Sequence, residues 1–389
     1  MENLKIGLLL HFYQPWWQFP KVLAQIVAQC YRPILRLIKE EKGFCFSANI
    51  NYSLLELLDR NSGENPVRLS LSDSSFADVI EGFGEAVKNG KIELLGSTAY
   101  HPIMPLVSQK MQMAQMVTDA LYKKISWDIE KNCNGVYLPE MAFSRSILPN
   151  LGANKYEWTI IDDEPFRVEY GYVPFDSIAL LNGLKIFLRS NYWSNKIAGG
   201  ELPTFAAMRE KMERDIPDWT KNRPAYLILA MDAETFGHHH KGLIEKLLTP
   251  MLKEWGSGGL GILTPIEGIG RLFPPMRLSH LENGTWATSE NDIREKDFYP
   301  LWNSKFNEHH ENLWRLVNIA LKYARQAGAD RDCLKIASSC HWWWISRARW
   351  EPKFMMLGAG KAMEVIDKYG SECEKKEGKK IFEKLEALK

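Results

Sequence analysis

The chain of 389 residues is short of charge imbalance, of patterned cysteine and of long apolar runs, and each shortage removes a class of function. With 49 Lys and Arg against 48 Asp and Glu the net charge is +1, so nothing in the electrostatics favours nucleic acid, an anionic membrane or a polyanionic substrate. The six cysteines (Cys30, Cys45, Cys133, Cys333, Cys340 and Cys373) show neither a CxxC nor a zinc-finger spacing and read as reduced thiols of a cytoplasmic protein. No stretch reaches the roughly 18 uninterrupted apolar residues that span a bilayer. The opening "MENLKIGLLLHFYQPWW" lacks the basic region and small-residue cleavage site of a secretory leader. No nucleic-acid or membrane partner is expected, and oligomeric state leaves no signature.

Aromatic residues are plentiful: 14 Trp, 14 Tyr and 17 Phe. A large fold hides many in its core, yet several sit beside polar residues in "HFYQPWW", "NYW", "LWN" and "HWWWISRARW". Rings beside hydrogen-bonding groups suit a cleft for sugars, whose C–H faces stack while their hydroxyls take polar partners.

Short apolar runs at 4–10, 44–50, 92–97, 135–139, 156–162, 225–231 and 259–264 alternate with segments of helical period such as 22–40 and 111–131. That alternation predicts an α/β fold, a parallel sheet wrapped by helices, with enough strands to close a barrel. Past the Pro-Pro of "RLFPPMRLSH" the texture becomes polar, then helical again. The expected organisation is a barrel over 1–275 and a mainly helical region over 276–389.

Unusual polar residues follow the expected strands directly. His11, Tyr13 and Gln14 follow the first, Tyr100 and His101 the third, Glu140 the fourth, Asp162 to Glu164 the fifth, and Asp232 and Glu234 the sixth. In parallel barrels the C-terminal strand ends converge on one face, and that face carries the chemistry. Singly, each has a bland alternative, such as a charge at a helix N-terminus or a satisfied buried histidine. Together they predict a polar site holding two or more carboxyls. Such a pair supports glycoside hydrolysis or transfer, one carboxylate attacking the anomeric carbon while the other protonates the leaving oxygen.

"HFYQP" (11–15), "GSTAYHPIMPL" (96–106), "GVYLPEMAFS" (135–144) and "MDAETFGHHH" (231–240) resemble, in order, four sequence regions of glycoside hydrolase family 57. The resemblance implies a distorted parallel (β/α)7-type barrel followed by a helical region, and retaining chemistry on α-glucans or related α-glycosides, with no metal and no organic cofactor. It places the nucleophile on Glu140 and the acid/base on Asp232. His11, Tyr13, Gln14, Tyr100, His101, Glu234 and His238 then become substrate-binding candidates, with Trp302 and Trp342 as further subsite or domain-interface groups. Arg189 in "FLRSNYW" is expected to hold the nucleophile ionised, to bind a hydroxyl, or to form a surface ion pair. Three departures stand out: Tyr13 replaces a common His, Tyr137 a common Trp, and the fourth region runs on into His-His-His.

Two other readings stay open. A metal-dependent carbohydrate deacetylase would use His11, Asp232 and some of His238 to His240, although adjacent histidines on regular backbone cannot all face one ion. A non-catalytic glycan-binding relative would keep the fold alone.

Overall fold

The alternating apolar runs become strands of one mostly parallel sheet in the computed structural model, which describes residues 3–41, 43–59, 76–129, 133–216, 223–258, 261–324 and 330–388. The strands are β1 (Leu4–Phe12), β2 (Phe46–Ile50), β3 (Ile92–Leu95), β4 (Gly135–Val136), β5 (Trp158–Asp162), β6 (Ile178–Leu181), β7 (Leu184–Arg189), β8 (Ala225–Asp232), β9 (Ile262–Leu263) and β10 (Pro275–Arg277). Parallel pairings join β3, β2, β1, β8, β7, β5 and β4 in sequence. A further parallel bridge, Gly96 to Val136, connects β3 to β4 and closes a seven-stave barrel.

The seventh stave is not the expected one. The run at 259–264, of which 259 and 260 lie outside the described residues, supplies only β9, which pairs with the lower part of β1. The stave is β7, which the sequence reading passed over. It forms an antiparallel hairpin with β6 across Asn182-Gly183, both residues having positive φ (49° and 87°). Asn-Gly between apolar runs is a strong hairpin signal because a type I′ turn needs that backbone at both central positions. β7 meets β8 only at Arg189–Ile228. β6 and β10 occupy the hairpin side of β7, which is how the barrel is distorted.

Inward residues of six staves, Leu9, Leu95, Tyr137, Ile160, Phe187 and Ile228, share one buried cluster, so the barrel is packed rather than hollow. The expected C-terminal helical region is present, with helices Glu308–Leu321, Asp330–Ile336, Cys340–Trp343, Pro352–Tyr369 and Glu372–Glu386. Its core, around the stacked rings of Trp314 and Trp342 (4.0 Å), also takes in Tyr52, Ala99, Tyr100 and Ile103 from the loops after β2 and β3. Among the described residues no helix is long and apolar enough to cross a membrane.

At the narrow β4–β5 pairing, a Cβ on Gly135 would lie 2.2 Å from the buried indole of Trp158. Gly135→Ala should lower stability by about 1–3 kcal/mol, the range of an overpacked core. Gly152→Ala, in the helix Leu148–Ala153 with open space around it, should instead raise stability by about 0.5–1 kcal/mol. Thermal and denaturant unfolding of the two variants checks the contrast.

Candidate active site

Strand register assembles the site. His11 lies beside Asp232 across β1–β8 and beside Asn49 across β1–β2, while Asp162 lies beside Arg189 across β5–β7. The loop after β3 is shaped by the helix Gln109–Trp127. The buried Asp119 accepts the backbone N–H groups of Tyr52 (3.0 Å) and Ser97 (3.1 Å) and pairs with Lys123 (2.7 Å). Gln115 accepts the N–H of Tyr100 (2.8 Å) and donates to the carbonyl of Leu334 (2.9 Å). One helix thus ties two barrel loops to the C-terminal region.

Glu140 sits in a left-handed backbone conformation (φ 57°, ψ 17°), followed by Met141 at φ 51°, and His101 facing it has φ 58°. Non-glycine residues held there cost of order 1–3 kcal/mol each and persist where the surroundings over-determine them. Here the surroundings are residues 284–286. Gly284 bridges Phe143, and Trp286 donates its backbone N–H to the Glu140 carbonyl (3.1 Å) and its indole N–H to Oε2 (2.6 Å). The indole also lies under the Arg189 guanidinium, 5.5 Å from the ring centroid. Arg189 is buried, donating to Asp162 (2.6 Å), the Ala230 carbonyl (2.8 Å) and Asn195 (2.7 Å), so the surface-ion-pair alternative is set aside.

His11 and His101 form a hydrogen-bonded chain. His11 Nδ1 bonds Asn49 Oδ1 (2.8 Å), the two Nε2 atoms meet at 3.1 Å, and His101 Nδ1 bonds the Ser339 hydroxyl (2.9 Å). Both rings are neutral: burial holds His11 down to about 3, and burial together with His11 holds His101 well below the usual histidine range. The 3.7 Å approach of His101 Nδ1 to Glu140 is therefore not an ion pair. Tyr13 stacks on His101 (4.0 Å) and sends its hydroxyl to Ser338 and Cys340, both at 3.2 Å.

Three carboxyls share this poorly solvated space. Burial and the nearby charge of Asp232 push Glu140 up to about 8, partly opposed by the Trp286 N–H. Burial raises Asp232 to about 6, restrained by Arg189. Burial and Asp232 raise Glu234, whose Oε1 accepts from Tyr31 and from Gln14 (2.9 Å).

A cavity of about 690 Å³, within the range of small-molecule sites, is lined by His11, Tyr13, Gln14, Glu140, Arg189, Asp232, Glu234, His239 and Trp286. One wall is aromatic: Trp17 stacks on Phe354 (5.5 Å, 9°), with Trp343, Trp344 and Phe19 beside them. His101 lies behind His11 and Tyr13, buried.

Four expected binding residues are placed elsewhere. Trp302 and Trp342 are fully buried in the C-terminal core, where Trp342 stacks on Trp314 and the Trp302 carbonyl accepts the Trp314 indole N–H (2.9 Å). Tyr100 turns away because its hydroxyl donates to the buried Glu56 (2.9 Å). His238 bonds Gln29 (2.9 Å) and His240 the Ala198 carbonyl (2.8 Å), leaving His239 as the histidine of the triplet that lines the cavity. The triplet diverges, and His11 spends both ring nitrogens on protein partners, so the donors named for a deacetylase do not gather around one point. Trp286 was missed by sequence reading; its signal was a single Trp in an otherwise polar stretch.

Residues 10–280 match the profile described as Glycosyl hydrolase family 57. The chain belongs to that family. Among curated relatives, an alpha-amylase of Pyrococcus abyssi (strain GE5 / Orsay) is 22% identical over 158 residues, 40% of this chain and 21% of that protein. A 4-alpha-glucanotransferase of Thermococcus litoralis (strain ATCC 51850 / DSM 5473 / JCM 8560 / NS-C) is 20% identical over 167 residues, 43% of this chain and 23% of that protein. The matched stretch thus spans about a fifth of these relatives' length. In solved structures the fold is shared with the 4-alpha-glucanotransferase from Thermococcus litoralis (TM-score 0.74, 16% identity, 95% of this chain and 60% of that one). It is also shared with a GH57-type branching enzyme from Pyrococcus horikoshii (TM-score 0.69, 15% identity, 99% and 95%).

The family member's buried carboxyls have a measurable cost. Glu234 titrates higher in the folded chain than its ordinary 4.5, so its stabilising contribution is full below that value and is lost as pH rises toward about 8. Glu234→Gln, which keeps an acceptor for Gln14 and Tyr31, should remove that loss. Its stability relative to the parent should rise by roughly 4 kcal/mol between pH 5 and pH 9 in thermal unfolding, about three pH units at 1.36 kcal/mol each.

Proposed function

We propose that this protein is a retaining enzyme of α-glycosides, a hydrolase or an α-glucanotransferase, with Glu140 as nucleophile and Asp232 as acid/base. The observation that carries the reading is the Glu140 carboxyl, gripped by Trp286 and opposed by the charge of Asp232 within one cavity. The Glu140 carboxylate attacks the anomeric carbon while the glycosidic C–O bond breaks and Asp232 gives its proton to the leaving oxygen. Asp232 then takes a proton from water or from an acceptor sugar hydroxyl, which attacks the same carbon and releases Glu140. This chemistry needs neither a metal nor an organic cofactor. Family membership and relatives named alpha-amylase and 4-alpha-glucanotransferase support an α-glucan or related α-linked oligosaccharide as substrate. The dispersed thiols agree with a cytoplasmic setting.

Proton placement needs the substrate. Without a bound sugar Glu140 holds a proton more readily than Asp232, because Arg189 favours ionised Asp232. A glycosidic oxygen can only accept a hydrogen bond, which favours protonated Asp232. Positive charge growing at the anomeric carbon favours ionised Glu140. The aromatic wall and the sugar itself exclude water, strengthening both effects. Gln14, Arg189 and Glu234 offer polar contacts to hydroxyls, and Trp17, Trp343, Trp344 and Phe354 offer ring faces.

Activity on maltooligosaccharides should follow a bell between about pH 6 and pH 8, the window in which the pair holds one proton. Glu140→Gln and Glu140→Ala should lose turnover by at least ~10³-fold, and azide should restore part of it in Glu140→Ala by filling the vacated space as a substitute nucleophile. Full activity in Glu140→Gln overturns the assignment. Product chromatography with α-glucans and α-galactosides separates hydrolysis from transfer.

A further inference from the structure

Tyr137 follows β4 three residues before Glu140 and is fully buried. Its ring stacks on His11 (4.4 Å) and stands edge-on to Trp286 (6.2 Å). Among the described residues its hydroxyl has no hydrogen-bond partner. A buried O–H without an acceptor costs free energy, and phenylalanine would supply the same packing without that cost. The oxygen therefore calls for a partner that another state of the site provides.

That partner is legible from Glu140. Its Oε2 takes the Trp286 N–H, while Oε1 lies 3.7 Å from His101 Nδ1, beyond hydrogen-bond reach, and that nitrogen is bonded to Ser339. Once Glu140 is ionised, one of its oxygens lacks a protein donor among the described residues. Tyr137 shares contacts with Trp286 and His11 beside it, and Glu140 is the group whose charge acts most strongly on its hydroxyl. The other groups around Glu140 are Asp232 with Arg189 behind it, the neutral His101, and the hydroxyl of Tyr13 and thiol of Cys340, both held in the neutral form by burial. None of these is a free donor to Oε1.

Resting on the retaining reading above, we propose that Tyr137 is a positioning residue whose hydroxyl donates to the Glu140 carboxylate when that group ionises. Trp286 on one oxygen and Tyr137 on the other fix the carboxylate plane for attack. The chain then carries a hydroxyl where the common residue of the family resemblance, Trp, has none at that place.

Tyr137→Phe tests this on the full chain with maltooligosaccharides. A hydrogen bond to a charged group predicts a roughly ten- to hundred-fold fall in kcat with KM within about two-fold of the parent. The alkaline limb of the kcat/KM profile, which reports the second ionisation of the pair, should move up by about one pH unit. The melting temperature should be unchanged or higher, since an unpartnered hydroxyl has been removed. Parental kcat with a parental pH profile overturns the proposal. A lower melting temperature with an unmoved profile also overturns it, by showing a purely structural role. Glu140→Gln run in parallel separates the two levels: if it is active, the retaining reading fails and this inference with it. If it is inactive while Tyr137→Phe is unaffected, only the role of Tyr137 fails.

Discussion

Desolvation of acidic groups at the upper end of the barrel is the constraint around which the rest of the molecule is arranged. Glu140, Asp232 and Glu234 are all raised by burial, and the fold tolerates them because each has a designated partner: Trp286, the Arg189 field, and Tyr31 with Gln14. Neutrality of the histidine pair belongs to the same arrangement. A charged His11 or His101 would neutralise the carboxylates from below, whereas the chain from Ser339 through both rings to Asn49 uses every ring nitrogen without a net charge. What remains is a pair of carboxyls, Glu140 and Asp232, each raised by burial in one cavity.

The barrel does not complete this site alone. Residues 284–286 run alongside Phe143 and lock the strained backbone of Glu140. Ser338 to Cys340 hold Tyr13 and His101, and Trp343, Trp344 and Phe354 complete the aromatic wall. Each contribution comes from chain more than a hundred residues from the strand-end group it supports. Covering the strand ends in this way removes water, which raises the carboxyl pKa values and strengthens each hydrogen bond left inside.

Part of this was legible in the chain. Polar residues directly after apolar runs marked His11, Gln14, Glu140, Asp232 and Glu234, which line one cavity, because parallel strands must deliver their C-terminal ends to one face. The strand β7 was overlooked although Asn182-Gly183 marks its turn, and with it went the buried role of Arg189. Trp302 and Trp342 looked like cleft residues because polar neighbours flank them; in the fold both indoles are buried in the C-terminal core, and His341 is buried beside Trp342. His238 looked equivalent to its two neighbours, and only the path of the loop after β8 shows which of the three meets the cavity.

By itself the sequence determined most of the alternation of strand and helix and the strand-end groups of six staves, since hydrophobic period and parallel geometry are local rules. The tertiary structure alone decided that Trp286 grips Glu140, that burial disfavours charge on the two histidines, and that the Tyr137 hydroxyl has no partner among the described residues. Those facts depend on which distant side chains meet in a desolvated space, and no local period in the chain encodes such meetings.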